Sequence, residues 1–411
     1  MKHFKFMVAA LFVATISVLQ ARGQDTLVLK VLEENAPKYF NAPGMPRFSV
    51  IGKDQEFYLG IGGYIRGTAS YDFGNPIESP LYFIPSAIPM NPKGGNGGLL
   101  QMSAASSNIF FNFVALPQTQ DKVGAYVDFG FAEGMGDYGF SLKAAYLTYR
   151  NLVVGYTTSL FTDGSAAAYT IDQQGPNAMT FLFNTVINYR LALTRHWSIG
   201  VGLERPSVNA SYHTYTSGVS QRLPDIPFYL QYGWKEGKGW LRLSGIIRNM
   251  YYRNELEGRN VDEVGWGVKL SGASPLSHKL TLYSQTVFGK GISSYVQDLQ
   301  GLGLDMVPVD PEGGRMKPAQ VVASYCGLQW NVSPKVTTSA TFSEVKCFLP
   351  EEVEGMGGDT YKEGIYFVSN VIYDVSPVLS TGIEYLWGSR KNRSEETRHD
   401  NRIQVSLRVN F

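Results

Sequence analysis

Arg402-Ile403-Gln404-Val405-Ser406-Leu407-Arg408-Val409-Asn410-Phe411 closes the chain, and its alternation decides how the rest is read. Ile403, Val405, Leu407, Val409 and Phe411 share one face of an extended segment, while Arg402, Gln404, Ser406, Arg408 and Asn410 share the other. About ten residues is one tilted membrane-spanning strand. Strands of soluble sandwiches are mostly shorter, about 5–6 residues.

Phe57 to Phe73 repeats the pattern, with Phe57, Leu59, Ile61, Ile65, Ala69, Tyr71 and Phe73 opposed to Tyr58, Tyr64, Arg66, Thr68, Ser70 and Asp72. A helix cannot hold a period of two over such a length. Between these ends, strands are expected near 106–116, 121–133, 139–149, 151–161, 181–193, 197–207, 224–235, 238–250, 261–272, 278–290, 318–332, 336–348, 362–374 and 378–390. The expectation is an all-β, antiparallel transmembrane barrel of sixteen strands, occupying residues 56–411. Its connections alternate. Turns such as Arg150-Asn151, Glu236-Gly237 and Ser376-Pro377 are short, whereas 74–105, 162–180, 208–223 and 291–317 are long. Short periplasmic turns and long extracellular loops suit a membrane barrel, not a Greek-key sandwich.

The N-terminus places Lys2 and Lys5 before an apolar stretch from Phe6 to Leu19, followed by Ala21-Arg22-Gly23. That order reads as a signal peptide over residues 1–23, cleaved near Gly23 or Gln24. The stretch is too short for a spanning helix, which takes roughly 20 residues, and no second one follows. The mature chain must therefore cross lipid as a closed barrel. Residues 24–55, with Pro37, Pro43 and Pro46, are expected as a periplasmic lead segment, too small to plug the pore. An even strand number leaves both chain ends in the periplasm.

Lys and Arg number 36 against 35 Asp and Glu, a balance that gives no sign of a nucleic-acid partner. Charged residues are 17% of the chain, below the roughly 25% of soluble domains. Cys326 and Cys347 do not form a bridge in this reading. With a turn at Ser333-Pro334-Lys335, the residue opposite Cys326 is near 342, which leaves Cys347 roughly 17 Å along its strand at ~3.4 Å per residue.

Alternation also assigns the inward set. Arg66, Lys122, Lys143, Arg190, Arg242, Arg248, Lys269, Lys279, Arg402 and Arg408 face Asp72, Asp128, Glu204 and Glu384 in a near-neutral chain. Basic charges around a narrow water column focus the field and favour anions. Loop 162–180, the third external loop by this count, is expected to fold inward. Asp163 and Asp172 would then oppose Arg66, Lys143 and Arg190 across the constriction. Arg66, Lys143, Asp163, Asp172, Arg190, Glu204, Arg242 and Arg248 are thus the candidate pore-lining residues, with small anions as the favoured solutes.

No enzyme is expected. His196, His213, His278 and His399 fall at turns or loops, away from any inward nucleophile. Asp298, Asp305, Asp310 and Glu312 lack the fixed spacing of a calcium loop and read as a solvated acidic loop. No cofactor or metal is expected. Gly60-Ile61-Gly62-Gly63 precedes no helix, so it is no phosphate cradle. The alternatives are a plugged or adhesive barrel that binds a ligand without conducting, and a secreted soluble β-protein.

Gly63-Tyr64-Ile65-Arg66 with Tyr71-Asp72-Phe73-Gly74 resembles the opening strand of the DcaP-like porins. The likeness continues through Lys143-Ala144-Ala145-Tyr146, Val154-Gly155, Thr158 to Asp163, Tyr169-Thr170-Ile171-Asp172, Gly175-Pro176-Asn177 and Glu204-Arg205-Pro206. It implies a homotrimeric sixteen-stranded channel in the outer membrane of a Gram-negative bacterium, passing small anionic solutes such as dicarboxylates. Arg66, Lys143, Asp163, Asp172 and Glu204 would line it. The chain departs from the family in lacking a long N-terminal coiled-coil extension and in carrying Tyr156-Thr157 where Gln-Thr or Gln-Trp is usual. Phe411 resembles the final aromatic of outer-membrane barrels, which the barrel-assembly machinery reads.

Overall fold

A computed structural model describes residues 28–31, 48–52, 56–91, 98–310, 312–353 and 355–411. The signal peptide expected over 1–23 lies outside them. So does most of the lead segment 24–55.

Sixteen antiparallel strands close into a barrel. The first four are β1 (Phe57–Asp72), β2 in two pieces (Leu99–Ser103 and Asn108–Ala115), β3 (Val123–Glu133) and β4 (Asp137–Tyr149). Next come β5 (Leu152–Thr158), β6 (Phe183–Ala192), β7 (Trp197–Glu204) and β8, again in two pieces (Thr216–Gly218 and Ile226–Trp234). β9 (Gly239–Asn254), β10 (Arg259–Pro275), β11 (Leu280–Lys290) and β12 (Gln320–Ser333) follow. β13 (Val336–Phe348), β14 (Tyr361–Asp374), β15 (Leu379–Asn392) and β16 (Thr397–Asn410) complete the wall.

Closure joins the two segments whose alternation was clearest. β16 pairs with β1 from Arg402 opposite Asp72 to Asn410 opposite Tyr64. Phe411 and Gly63 then exchange backbone hydrogen bonds of 2.9 and 3.0 Å, so the chain ends paired. Any side chain at Gly63 would meet the Asn108 carbonyl at 2.4 Å and the Phe411 ring at 3.0 Å, which is why this position carries none. Below the seam, Phe48–Ile51 pairs with β1 from Ile51 opposite Tyr58 to Phe48 opposite Ile61. Val28–Val31 pairs with Phe48–Ile51 in turn. This short hairpin covers the edge of β1 that β16 does not reach.

A closed wall leaves no backbone group exposed to hydrocarbon. The outward face is apolar accordingly, with Ile65 at 62% and Leu407 at 54% exposure among many similar residues. Exposure of this kind is stable against lipid and not against water. Outward Trp197, Tyr232, Trp330 and Tyr373 stand near the short-turn end, and Tyr71, Phe73 and Tyr138 near the other, as the aromatic girdles of membrane barrels do.

Cys326 lies opposite Phe342 and Cys347 opposite Val321. Both are free, Cys326 exposed and Cys347 buried. β9 and β10 extend further toward the loops than expected, to Asn254 and from Arg259, because a ladder above the membrane needs no apolar side chains. β5 is shorter than expected and ends at Thr158. There the chain leaves the wall and turns inward.

Candidate lumen and its inward loops

Loop 159–182 crosses the interior along the wall from β9 round to β1. Leu160 N–H donates to Glu204 Oε1 at 2.7 Å, the first tie after β5. Asp163 Oδ2 then accepts from Trp240 Nε1 at 3.1 Å and from Ser271 Oγ at 2.7 Å, while Arg242 Nη1 lies 3.6 Å from Asp163 Oδ1. Lys269 donates to the Phe161 carbonyl and, at 2.9 Å, to Thr180 Oγ1. Further on, Tyr325 donates to the Ala166 carbonyl at 3.1 Å, and Ser339 and Asn370 donate to the Tyr169 carbonyl at 2.7 and 2.9 Å.

At its far end the loop meets β15. Ile171 and Asp172 present successive backbone N–H groups to the two oxygens of Glu384, each at 2.7 Å. Asn370 and Gln404 complete the carboxylate's shell at 2.9 and 2.7 Å. Arg66 donates to the Ile171 carbonyl. Asp172 accepts from Phe83 N at 3.0 Å and from Tyr366 Oη at 2.9 Å. Burial, with the Glu384 carboxylate beside it, pushes the Asp172 carboxyl up to about 7.

A second loop also folds inward. Residues 291–319 pair with loop 159–182 through Phe181 N to Tyr295 O at 2.9 Å and Gln297 N to Met179 O at 3.0 Å. Asp298 ties three loops together, accepting from Ser86 N at 2.8 Å, Asn177 Nδ2 at 3.0 Å and Tyr361 Oη at 2.6 Å. Asp305 is fully buried against Arg248 Nη1 at 3.2 Å. The solvated acidic loop expected for this region is corrected for both residues. Phe161, Met179, Ile292, Val296, Leu299 and Leu304 form an apolar core with inward Ile246, Val287, Val321 and Val345. The β9–β14 side of the interior is thereby packed.

Buried arginines elsewhere are matched by carboxylates. Arg248 Nε sits 3.0 Å from Asp225 Oδ2, with Tyr295 donating to the same oxygen at 2.8 Å and to Glu204 at 3.2 Å. Arg402 forms a two-pronged pair with Asp72, its Nη2 2.8 Å from Oδ2.

The expected opposition across a constriction is redistributed by this geometry. Asp163 faces Arg242, not Arg66, Lys143 or Arg190, and Asp172 faces Tyr366 and backbone amides. The reason is the path of the loop along β9 to β16, which carries both carboxylates away from β4 and β6. Arg66, Asp163, Asp172, Glu204 and Arg248 are buried. Lys143 is half-buried in a bulge of β4 opposite Asp128, Arg190 is exposed on the inward face of β6, and Arg242 lies 4.5 Å over the Tyr229 ring. Of the ten inward basic residues, Arg66, Arg248, Lys269 and Arg402 are sealed, which leaves Lys122, Lys143, Arg190, Arg242, Lys279 and Arg408 reaching water. Of the four expected acids, Asp128 alone is not buried. Sequence phase missed Asp225 as a partner of Arg248. Its one signal was a carboxylate just before β8.

Among solved structures, the outer-membrane channel DcaP of Acinetobacter baumannii superposes with a TM-score of 0.75, at 21% identity, over 88% of this chain and 99% of that one. The chain has the fold of the outer-membrane porin channels. The likeness to the DcaP-like porins expected from residues 60–207 extends, as fold, around the whole barrel. An anion-selective porin from Comamonas acidovorans aligns with a TM-score of 0.55 at 10% identity, over 87% of this chain and 100% of that one. Salmonella typhi OmpF, in complex with daunomycin, gives 0.53 at 11% identity, over 87% and 99%. No family model and no curated protein matches the sequence. A closed, apolar-belted barrel of the porin fold places the chain in the outer membrane of a Gram-negative bacterium.

In the porin fold, loop 159–182 is the third external loop, and Asp163 anchors its first half. Asp163→Ala leaves Trp240, Ser271 and Arg242 without their acceptor. Single-channel conductance is expected to change more than in a Glu395→Ala control on the rim. Equal changes would mean that the loop does not bound the water path.

Proposed function

We propose that the chain is a porin, a passive diffusion channel whose wet wall favours small anions such as small organic acids. The observation that carries this is that, of the inward residues assigned by alternation, those that reach water are Lys122, Lys143, Arg190, Arg242, Lys279 and Arg408 against Asp128. Fixed positive charge between low-dielectric walls raises the local concentration of anions by field focusing. The water path runs along β2 to β8, opposite the packed side, past Lys122, Lys143 and Arg190, with Arg242 at its border on β9.

The remaining roles follow the same reading. Residues 1–23 direct export and are removed, 24–55 stays periplasmic, and Phe411 presents the closing strand to the assembly machinery. The working unit is a homotrimer in the lipid of the outer membrane. Planar-bilayer recording with a panel of small organic acids tests the proposal. Stable single-channel steps with currents carried by the acids are expected. A barrel that inserts and never conducts would establish the plugged, ligand-binding alternative instead.

A further inference from the structure

The inward loops pack against the wall from β9 to β14 without filling the loop end of the barrel. A cavity of about 330 Å³ remains where several stretches of chain meet. Ser211 comes from between β7 and β8, Leu302 and Leu304 from loop 291–319, Met356 from between β13 and β14, Tyr361 from the start of β14 and Arg390 from the end of β15. Small-molecule sites begin at roughly 300 Å³, so the space is that of one small solute.

Hydrocarbon and one cation dominate its lining. Leu304 and Tyr361 belong to the buried apolar core, and Leu302 and Met356 pack half-buried at the edge of it. The Tyr361 hydroxyl is already spent on Asp298 at 2.6 Å. Arg390 is the one basic residue of the lining. It donates to the Ser86 carbonyl at 2.6 Å, to Asn392 Oδ1 at 3.0 Å and to the Asp359 carbonyl at 3.2 Å, all neutral acceptors. Lys391 next to it and Arg398 opposite it pair with Glu395 and Glu396, whereas Arg390 forms no ion pair with any described residue. A guanidinium carries five N–H groups. Three hold Arg390 in place, and two are left for an incoming acceptor. Asp359 is the one acid of the lining and is exposed, so a single negative charge on the occupant suits the cavity and a second does not.

We propose that this cavity binds a monocarboxylate with a short hydrocarbon body, of the size of hexanoate, its carboxylate on Arg390 and its chain along Leu302, Leu304 and Met356. The carboxylate gains charge-assisted hydrogen bonds, and the chain is withdrawn from water. The cavity adjoins the packed side, apart from the wet wall of β2 to β8, so it gathers solute at the mouth and does not line the path. It names a solute class for the anion-channel reading and rests on that reading for its use, while binding itself requires no current.

Saturation-transfer NMR on the intact detergent-folded barrel, titrated with hexanoate, tests it. One saturable site is expected. Acetate, which lacks the chain, should bind roughly tenfold more weakly or worse, and adipate, with its second carboxylate, should also bind more weakly than hexanoate. Arg390→Gln should weaken hexanoate roughly tenfold, and Arg390→Lys should restore part of the loss. Met356→Trp, which fills the cavity and leaves the charge in place, should abolish binding. Acetate or adipate bound as tightly as hexanoate, or hexanoate binding that neither Arg390→Gln nor Met356→Trp weakens, would overturn the site. Crystals soaked in hexanoate carrying bromine at its far end supply the structural arm. An anomalous peak beside Leu302 and Met356 is expected, and its absence would overturn the site whether or not the variants fold. Hexanoate held here by a barrel that passes no current would sink the conduction reading alone, and currents from a barrel that binds no hexanoate would sink the site alone.

Discussion

Arg248→Met should destabilise the detergent-folded barrel by about 3–5 kcal/mol, the cost of breaking a buried ion network by removing one partner. Arg248 is fully enclosed between Asp225 at 3.0 Å and Asp305 at 3.2 Å, and its guanidinium lies 5.0 Å from the Tyr295 ring centre. Methionine fills much of the volume and none of the charge. It would leave two carboxylates facing each other, with Glu204 close behind through Tyr295. Loop 291–319 would lose its charged tie to β9, which weakens its support of loop 159–182. Arg259→Met is the control, because the exposed Arg259–Glu257 pair is worth at most about 1 kcal/mol. Heat-modifiability on gels and urea unfolding in detergent would both read the difference. Equal midpoints for the two variants would show that the network is not what fixes these loops.

The second large effect concerns selectivity. Replacing Lys143, Arg190 and Arg242 together by glutamate turns the seven residues Lys122, Lys143, Arg190, Arg242, Lys279, Arg408 and Asp128 from six basic and one acidic to three basic and four acidic. The preferred ion should change sign. The effect should be strongest at low salt, because the screening length is about 30 Å at 0.01 M and only about 3 Å at 1 M. Arg242→Glu alone also repels Asp163, so the Arg190→Glu single variant separates field from loop displacement. Reversal potentials that stay anionic in the triple variant would mean that selectivity is set elsewhere, in loops or at the mouth.

How much of this was legible in the sequence depends on the kind of question asked. Side was legible. Two-residue alternation put Arg66, Arg402 and Arg408 inside and Ile65 and Leu407 outside, and a three-residue turn placed Cys326 opposite Phe342. Depth was not legible, because phase says which face a residue takes and nothing of what covers it. Arg248 and Arg190 read alike from the sequence, yet one is sealed by Asp225 and Asp305 and the other stays wet. The partners that seal Arg248 come from loops, where no periodicity fixes position. Loop 291–319 carried a signal that its acids masked. Ile292, Val296, Leu299, Leu304 and Val307 are more apolar than a solvated loop requires, and all are buried. The direction of loop 159–182 was expected, but its path along β9 to β16, set by hydrogen bonds to residues far along the chain, was not.

The measurement that bears most directly on the whole account is the zero-current potential of the unmodified barrel in a planar bilayer under a steep potassium chloride gradient. With the wet inner wall basic, chloride should cross more readily than potassium, and the preference should weaken as salt rises on both sides. A potential of the opposite sign would contradict the assignment of the inward charges.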